Sequence, residues 1–248
     1  MSRLVILSGP SCIGKGPLCA ALREFHPHLA ARLQPIVLYN SRAPRPGERD
    51  GIDYHFRSRQ QIQTLADREG FTVLEARADL QALDHTQLEA CLAKGDAFFE
   101  GNPYVADLLM AHPLPEGVER MSVFLSPLSR EEILELTRPP RNVALEPFVQ
   151  KVMAHKLLRR LEAQSGGEPA TPAELEDIHT RACCAYPELK HACCYDCVIP
   201  NHDGEGSEHW NLFGHPIGDA RRTLEAVAAL LAGRVPAIAE HWEAALIP

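Results

Sequence analysis

Apolar positions along the chain alternate between short dense runs and stretches of helical spacing. Residues 3–7 (RLVIL) form a leucine and β-branched run that Gly9 stops. A run this short, apolar on both faces, predicts a central parallel strand. In 17–32, Leu18, Leu22 and Leu29 share one side of a helix,. Pro35 breaks the chain, and 36–39 reads as a second short strand. A polar, Pro/Gly-rich stretch follows over 41–56. Then the pattern predicts a helix over 60–69, a strand over 71–75, a helix over 86–93, and strands over 97–100 and 120–125,. Ser129 with Glu132 three positions on is a capping-box signature for the next helix,. After the irregular basic stretch TRPPRNVALEP, a strong helix is expected over 148–164. SGGEPATP is the best linker candidate, leading to a helix over 173–185,. A last apolar strand at 197–199, a long polar loop over 202–219 and a helix over 220–231 complete the pattern. Strands alternating with helices imply an α/β fold around a parallel sheet.

Composition narrows the function classes. The 248 residues are 45 % apolar, enough for a sizeable core,. Formal net charge is −8, which argues against broad nucleic-acid binding. No apolar run approaches bilayer length, and the N-terminal run is too short for a secretory h-region,. We therefore expect a cytoplasmic protein with reduced thiols and neither membrane nor nucleic-acid partners.

Gly9-Pro10-Ser11-Cys12-Ile13-Gly14-Lys15 has the spacing G-x-x-x-x-G-K. It lies between a predicted strand and a predicted helix, the context a phosphate-binding loop requires. Glycines let backbone N–H groups turn toward phosphate oxygens, and the helix N-terminus adds positive partial charge. Lys15 would neutralise the β- and γ-phosphates of ATP. The residue after Lys15 is Gly16 rather than Ser or Thr, so no hydroxyl there can reach Mg2+. The candidate ATP site is Gly9, Ser11, Cys12, Ile13, Gly14, Lys15 and Gly16. The bland alternative is a chance glycine-rich turn.

Ser41-Arg42-Ala43-Pro44-Arg45-Pro46-Gly47-Glu48, then Gly51-Ile52-Asp53-Tyr54-His55-Phe56, is the second signal. Two arginines three apart in a proline-stiffened loop can clamp a phosphate, and Tyr54 can add a hydroxyl. With the phosphate loop, this run resembles the guanylate-kinase family, whose pattern is T-R-x-P-R-x-G-E-x-x-G-x-D-Y-x-F. Ser41 stands for the threonine. The resemblance implies a P-loop NTPase-type parallel sheet flanked by helices, with an inserted nucleotide-binding lobe and a lid. It implies the segments 1–35 (core with phosphate loop), 36–87 (acceptor lobe), 88–136 (core), 137–150 (lid) and 151–248 (core with expanded insertions).

By that resemblance Arg42, Arg45 and Tyr54 would hold the phosphate of GMP, with Ser41 also in the acceptor-nucleotide site, and Glu75 in Val73-Leu74-Glu75 would read the guanine edge. Thr86 falls where a second guanine contact is expected. The tyrosine that would precede it is Asp84, and a further base-contact serine is Leu38. Glu100 keeps one acid of a D-I-D run, able to orient magnesium-bound water, and the second acid is Asn102. Arg141 and Lys151 look like the lid cations over ATP. Asn201, in Tyr195-Asp196-Cys197-Val198-Ile199-Pro200-Asn201, would contact adenine. The implied catalytic set is Lys15, Arg42, Arg141 and Lys151, with Mg2+ as cofactor and ATP as co-substrate. The implied reaction is ATP + GMP to ADP + GDP, in a monomer or homodimer. Two other readings stay open: another phosphorylated acceptor, or a non-catalytic module of the same build.

Five of eight cysteines crowd together as Cys183, Cys184, Cys193, Cys194 and Cys197, near His179 and His191. Cys194-x-x-Cys197 has a zinc-ligand spacing, but adjacent Cys-Cys pairs are unusual for zinc. Free thiols are the favoured reading, with structural zinc the lesser alternative. His202-Asp203-Gly204-Glu205 and Glu208-His209 follow directly after Asn201. This places them near the expected nucleotide, unless they are a solvated insertion.

Overall fold

The computed structural model describes residues 2–45, 47–166 and 168–247. Pro46 of the acceptor motif and Gly167 of the linker candidate lie outside the described residues. The elements run β1 (Arg3–Ser8), α1 (Lys15–Phe25), α2 (Pro27–Ala30), β2 (Leu33–Pro35), β3 (Tyr39–Asn40), β4 (His55–Phe56) and α3 (Arg59–Gln63). Next come β5 (Phe71–Ala76), β6 (Asp79–Asp84), α4 (His85–Lys94), β7 (Asp96–Gly101), α5 (Pro103–Ala111) and β8 (Glu119–Ser126). The last are α6 (Arg130–Thr137), α7 (Leu145–Ser165), α8 (Pro172–Leu189), β9 (Cys197–Pro200) and α9 (Gly218–Leu231).

One sheet orders its strands β2-β7-β1-β8-β9, and a second orders them β4-β3-β6-β5. In the first, β2 pairs with β7 and β8 with β9, both in parallel. The α/β expectation is met. Strand β1 is buried from Leu4 to Ser8, as its unbroken apolar run requires,.

By contacts the chain divides into two units. One comprises Met1–Ile6, Arg32–Glu100 and Tyr104–Met121; the other comprises Leu7–Ala31, Gly101–Pro103 and Ser122–Pro248. In the first, Ile62, Leu65, Leu80 and Ala82 form a core under the second sheet, with Tyr39, Phe71 and Val73 packed on it. In the second, α7 packs along α8, and α1 against α9.

Several expectations shift. The helix expected over 17–32 is two, because Pro27 has no N–H to continue the ladder of α1,. The strand expected over 36–39 is not one strand. Ile36 N–H still donates to Phe98 O at 2.8 Å, but Val37 N–H turns to Gln87 Oε1 at 2.8 Å. The chain leaves one sheet there and enters the other at Tyr39. Strand β6 and helix α5 were absent from the sequence reading. Leu80, Gln81, Ala82 and Leu83 are all buried, so β6 lacks the alternation that marks a half-exposed strand.

Asp84 terminates β6 and caps α4. Its Oδ1 accepts from Thr86 N at 2.9 Å, Gln87 N at 3.4 Å and Thr86 Oγ1 at 2.6 Å. Ser129 and Glu132 do form the expected capping box on α6. Asp84→Ala should therefore destabilise the fold by about 1 kcal/mol, while Asp84→Asn, an equally good cap, should cost only a few tenths. Urea unfolding midpoints of the two variants check this.

Candidate functional site

In the second unit, the chain turns from β1 into α1 through the G-x-x-x-x-G-K loop. Gly9 and Gly14 take φ of 143° and 103°, values that L side chains rarely adopt. They are also closely approached. A Cβ on Gly9 would meet Leu125 O at 2.5 Å, and one on Gly14 would meet Asn201 Nδ2 at 2.7 Å and Trp210 Cζ2 at 2.9 Å. Lys15 opens α1, is 6 % exposed, and donates from Nζ to Gly9 O and Pro10 O, each at 3.0 Å. The ammonium is thus folded over the loop. Gly16 is different: a Cβ there would meet nothing within 4 Å. Nothing in the packing forces glycine after the lysine.

Cys12 adopts φ 65° and is 1 % exposed. It clusters with Leu157 of α7 and Ile178 and Ala182 of α8, and Sγ–H donates to Lys156 O at 3.2 Å. Burial, aided by the charge of Glu205, pushes its thiol pKa up, so Cys12 is a neutral packing group. Ile13 faces the other way. Its carbonyl accepts from Asn201 Nδ2 at 2.7 Å, and the same nitrogen donates to Asp203 O at 2.7 Å. Both amide protons of Asn201 are therefore engaged in bracing the loop.

The loop after Asn201 is packed on the phosphate loop rather than solvated. Glu205 N–H donates to Cys12 O at 3.2 Å, and its Oε2 accepts from Arg160 Nη1 at 2.7 Å. Burial raises the Glu205 carboxyl, but Lys15 and then Arg160 outweigh it and hold the pKa below the usual glutamate range. Trp210 Nε1 donates to Gly204 O at 3.0 Å. Lys156 donates to His202 O, and burial brings its ammonium pKa down to about 8. Asp203 accepts from Ser207 Oγ at 2.8 Å and from Ala220 N at 3.0 Å. Ser11 accepts from Arg181 of α8.

Arg160, Arg181 and Lys156 were not singled out in the sequence. The available signal was Arg181 sharing a helical face with Ile178, Ala182 and Ala185, all buried. An arginine on a buried face needs a partner inside.

In the first unit, the acceptor motif forms a compact cation site. Arg42 donates from Nη1 and Nη2 to the two carboxylate oxygens of Glu48, both at 2.6 Å. Glu48 also accepts from Arg45 N at 2.7 Å. The Arg42 guanidinium lies 5.0 Å from the Tyr54 ring centre and 5.4 Å from that of Phe56. Burial opposes the charged Glu48, yet the paired guanidinium holds its pKa low. Burial, then Glu100, pushes the Tyr54 phenol up, so it stays a neutral donor. Ser41 is tied in by Leu80 N–H donating to its Oγ at 2.9 Å.

The expected base-reading residues are otherwise occupied. Glu75 is exposed and pairs with Arg59 at 2.9 Å. The Thr86 hydroxyl donates to Asp84, which acts as a helix cap and not as a bare acid beside a phosphate. Glu100 is the next-to-last residue of β7 and is exposed.

Of the lid cations, Arg141 pairs with Glu135 at 3.0 Å. It lines an open cavity of about 770 Å3 with Arg130, Arg138, Glu240 and His241. No phosphate-loop residue lines that cavity. Lys151 is exposed on α7. None of the eight cysteines is in a disulfide, and among the described residues no three His, Cys, Asp or Glu side chains converge as a metal site.

A family model described as Guanylate kinase matches residues 1–79. The guanylate kinase of Mycolicibacterium paratuberculosis is 37 % identical over 134 residues, 53 % of this chain and 57 % of its own. That of Desulfitobacterium hafniense is 44 % identical over 149 residues, 60 % of this chain and 70 % of its own. That of Synechococcus sp. (strain CC9311) is 30 % identical over 166 residues, 66 % of this chain and 83 % of its own. The chain spans only 27 % and 30 % of the length of two further guanylate kinases that it matches. The crystal structure of guanylate kinase from Anaplasma phagocytophilum superposes with a TM-score of 0.51 at 18 % identity, over 96 % of this chain and 88 % of that one. This last likeness speaks for the fold. With relatives 44 % and 30 % identical matched over 70 % and 83 % of their own length, the chain belongs to the guanylate kinase family.

Proposed function

We propose that the chain transfers the γ-phosphoryl group of ATP to GMP or dGMP, with Mg2+. The observation that carries this reading is the strand–turn–helix loop whose buried Lys15 folds over its own carbonyls. An ammonium so placed, at a helix N-terminus, suits a triphosphate,. Arg42, Arg45 and Tyr54 then hold the acceptor phosphate, with Glu48 keeping the Arg42 fork flat and aimed. In-line transfer asks for positioning and charge neutralisation, and no protein base is required.

Mg2+ suits this chain only as an ion carried by the phosphates. Gly16 offers no hydroxyl, and Glu100 is a single exposed carboxylate. Mg2+ retains most of its waters and takes few protein ligands, so Glu100 would hold it through water. When bound, the ion supplies charge neutralisation on the triphosphate. Arg141 and Lys151 remain our lid cations, and Asn201, whose amide also braces the loop at Ile13 O, remains our adenine contact.

A second reading keeps the kinase and changes the acceptor. The Thr86 hydroxyl is held by Asp84, Glu75 is paired with Arg59, and the Leu38 side chain has no polar group to offer a base. A coupled ATP assay across nucleoside monophosphates, with product mass read out, decides between them. GMP turning over fastest supports the first reading; an inert GMP beside another active acceptor supports the second. Lys15→Ala should lower kcat/KM by about 100-fold or more with the circular dichroism spectrum unchanged. Wild-type turnover in that variant would defeat the mechanism.

The Arg42–Glu48 pair also sets a pH dependence. Because the folded Glu48 pKa lies below its unfolded value near ~4.3, its stabilisation is complete above that pH and is lost as pH falls through the folded pKa,. Glu48→Gln should cost about 2 kcal/mol at pH 7, with the gap to wild type closing in acid. It should also raise KM for the monophosphate and leave that for ATP unchanged. Urea melts from pH 3 to pH 7 and initial rates check both parts.

A further inference from the structure

The thiols are distributed unevenly between core and surface. Cys12, Cys19 and Cys197 are buried. Burial pushes the thiols of Cys12 and Cys91 up, and that of Cys197 up to about 12. A thiol so raised stays protonated at neutral pH and is a poor nucleophile. The accessible cysteines that remain are Cys183 and Cys184 on α8, and Cys193 and Cys194 in the 3₁₀ turn Lys190–Cys194 that follows it. Cys194 is exposed and Cys193 half-buried.

Within that turn two sulfurs meet. Cys193 Sγ and Cys194 Sγ are 3.9 Å apart. The Cys193 S–H donates to Lys190 O at 3.3 Å, so its sulfur can meet Cys194 only as an acceptor, lone pair first. Cys183 is placed differently, with His179 Nε2 at 3.7 Å. An ordinary disulfide spans about 4.4–6.8 Å between Cα atoms, whereas adjacent Cα atoms across a trans peptide are ~3.8 Å apart. A bridge between neighbours is therefore strained and readily reduced, which suits a pair that cycles and not a structural staple. The chain beyond the turn is anchored separately. Tyr195 is buried with its ring centre 5.1 Å from that of Phe124, and Asp196 accepts from Ser122 N at 2.7 Å. These anchors hold the entry to β9 while the turn rearranges.

We propose that Cys193 and Cys194 form a reversible dithiol/disulfide site that exchanges two electrons with low-molecular-weight disulfides. The exposed Cys194 loses its proton to water, and the thiolate attacks one sulfur of R–S–S–R. The S–S bond breaks, and the departing R–S⁻ takes up a proton. Cys193, deprotonated in turn, attacks the Cys194 sulfur of the mixed disulfide and releases the second R–SH. The net change is one dithiol plus R–S–S–R to one protein disulfide plus two R–SH, with the protein oxidised and the reagent reduced. The site thus follows the thiol–disulfide poise around the chain, and it does not depend on the kinase reading.

The test uses the full chain and glutathione, at graded ratios of oxidised to reduced form. Remaining thiols are trapped by alkylation, and the tryptic peptide 191–221 is read by mass and fragmentation. In excess oxidised glutathione, most chains should lose two hydrogens from this peptide, with the link mapped to Cys193–Cys194. Excess reduced glutathione should restore both thiols. Cys193→Ser should instead accumulate a mixed disulfide on Cys194, having lost the resolving thiol, while Cys183→Ser and Cys184→Ser should oxidise as the wild type does. A wild-type chain that stays unoxidised, or that retains only mixed disulfides, would overturn the proposal. So would a link mapped to Cys183, Cys184 or Cys197, or one that reduced glutathione fails to open. Should Cys193→Ser fail to fold, the wild-type link map decides by itself.

Discussion

Six residues, 9–14, link β1 to α1, and everything attributed to the donor site depends on that turn. Two glycines make it sterically feasible, because a side chain at Gly9 or Gly14 would strike Leu125 O or the Asn201 amide,. The turn is then held from several directions. Lys15 folds over it, Asn201 takes the Ile13 carbonyl, and Cys12 plugs into the α7–α8 hairpin. Glu205 and Arg181 close the remaining sides. These contacts fall on Gly9, Pro10, Ser11, Cys12 and Ile13, so the loop is held without a nucleotide. Preorganisation of this kind lowers the ordering that binding must otherwise impose.

The acceptor motif uses the same strategy with charge. Arg42 alone in a half-buried loop would be mobile and poorly aimed. Glu48 takes both ends of its fork, and Tyr54 and Phe56 lie beside it. Arg45 contributes its backbone N–H to the same carboxylate. One acid therefore holds the Arg42 guanidinium and the Arg45 backbone together, an arrangement that suits the proposed phosphate clamp.

The parts legible in the sequence are those whose meaning is local. The phosphate loop, the acceptor motif and the capping box at Ser129 carry their chemistry in consecutive residues. So do the long helices, whose apolar spacing spans several turns. The parts that were hidden acquire meaning only from tertiary neighbours. Asp84 reads as a misplaced acid until β6 ends there and α4 begins. Asn201 reads as an adenine contact, and only the fold shows that its amide nitrogen also donates to Ile13 and Asp203. The chemically rich loop after Asn201 was noticed, but its docking on Cys12 through Glu205 could not be read from composition. Arg181 is the clearest case, since an inward-facing arginine is visible only once the helix face is known.

The central claim is that the lysine loop takes a triphosphate while the arginine clamp takes a second phosphate in the same event. A single ligand bearing both tests it: adenosine and guanosine joined 5′ to 5′ through five phosphates, titrated by calorimetry with Mg2+. The account predicts affinity well above that of ATP or GMP alone, and loss of the gain when either Lys15 or Arg42 is replaced. Binding no tighter than ATP, or a gain untouched by loss of Arg42, would contradict it.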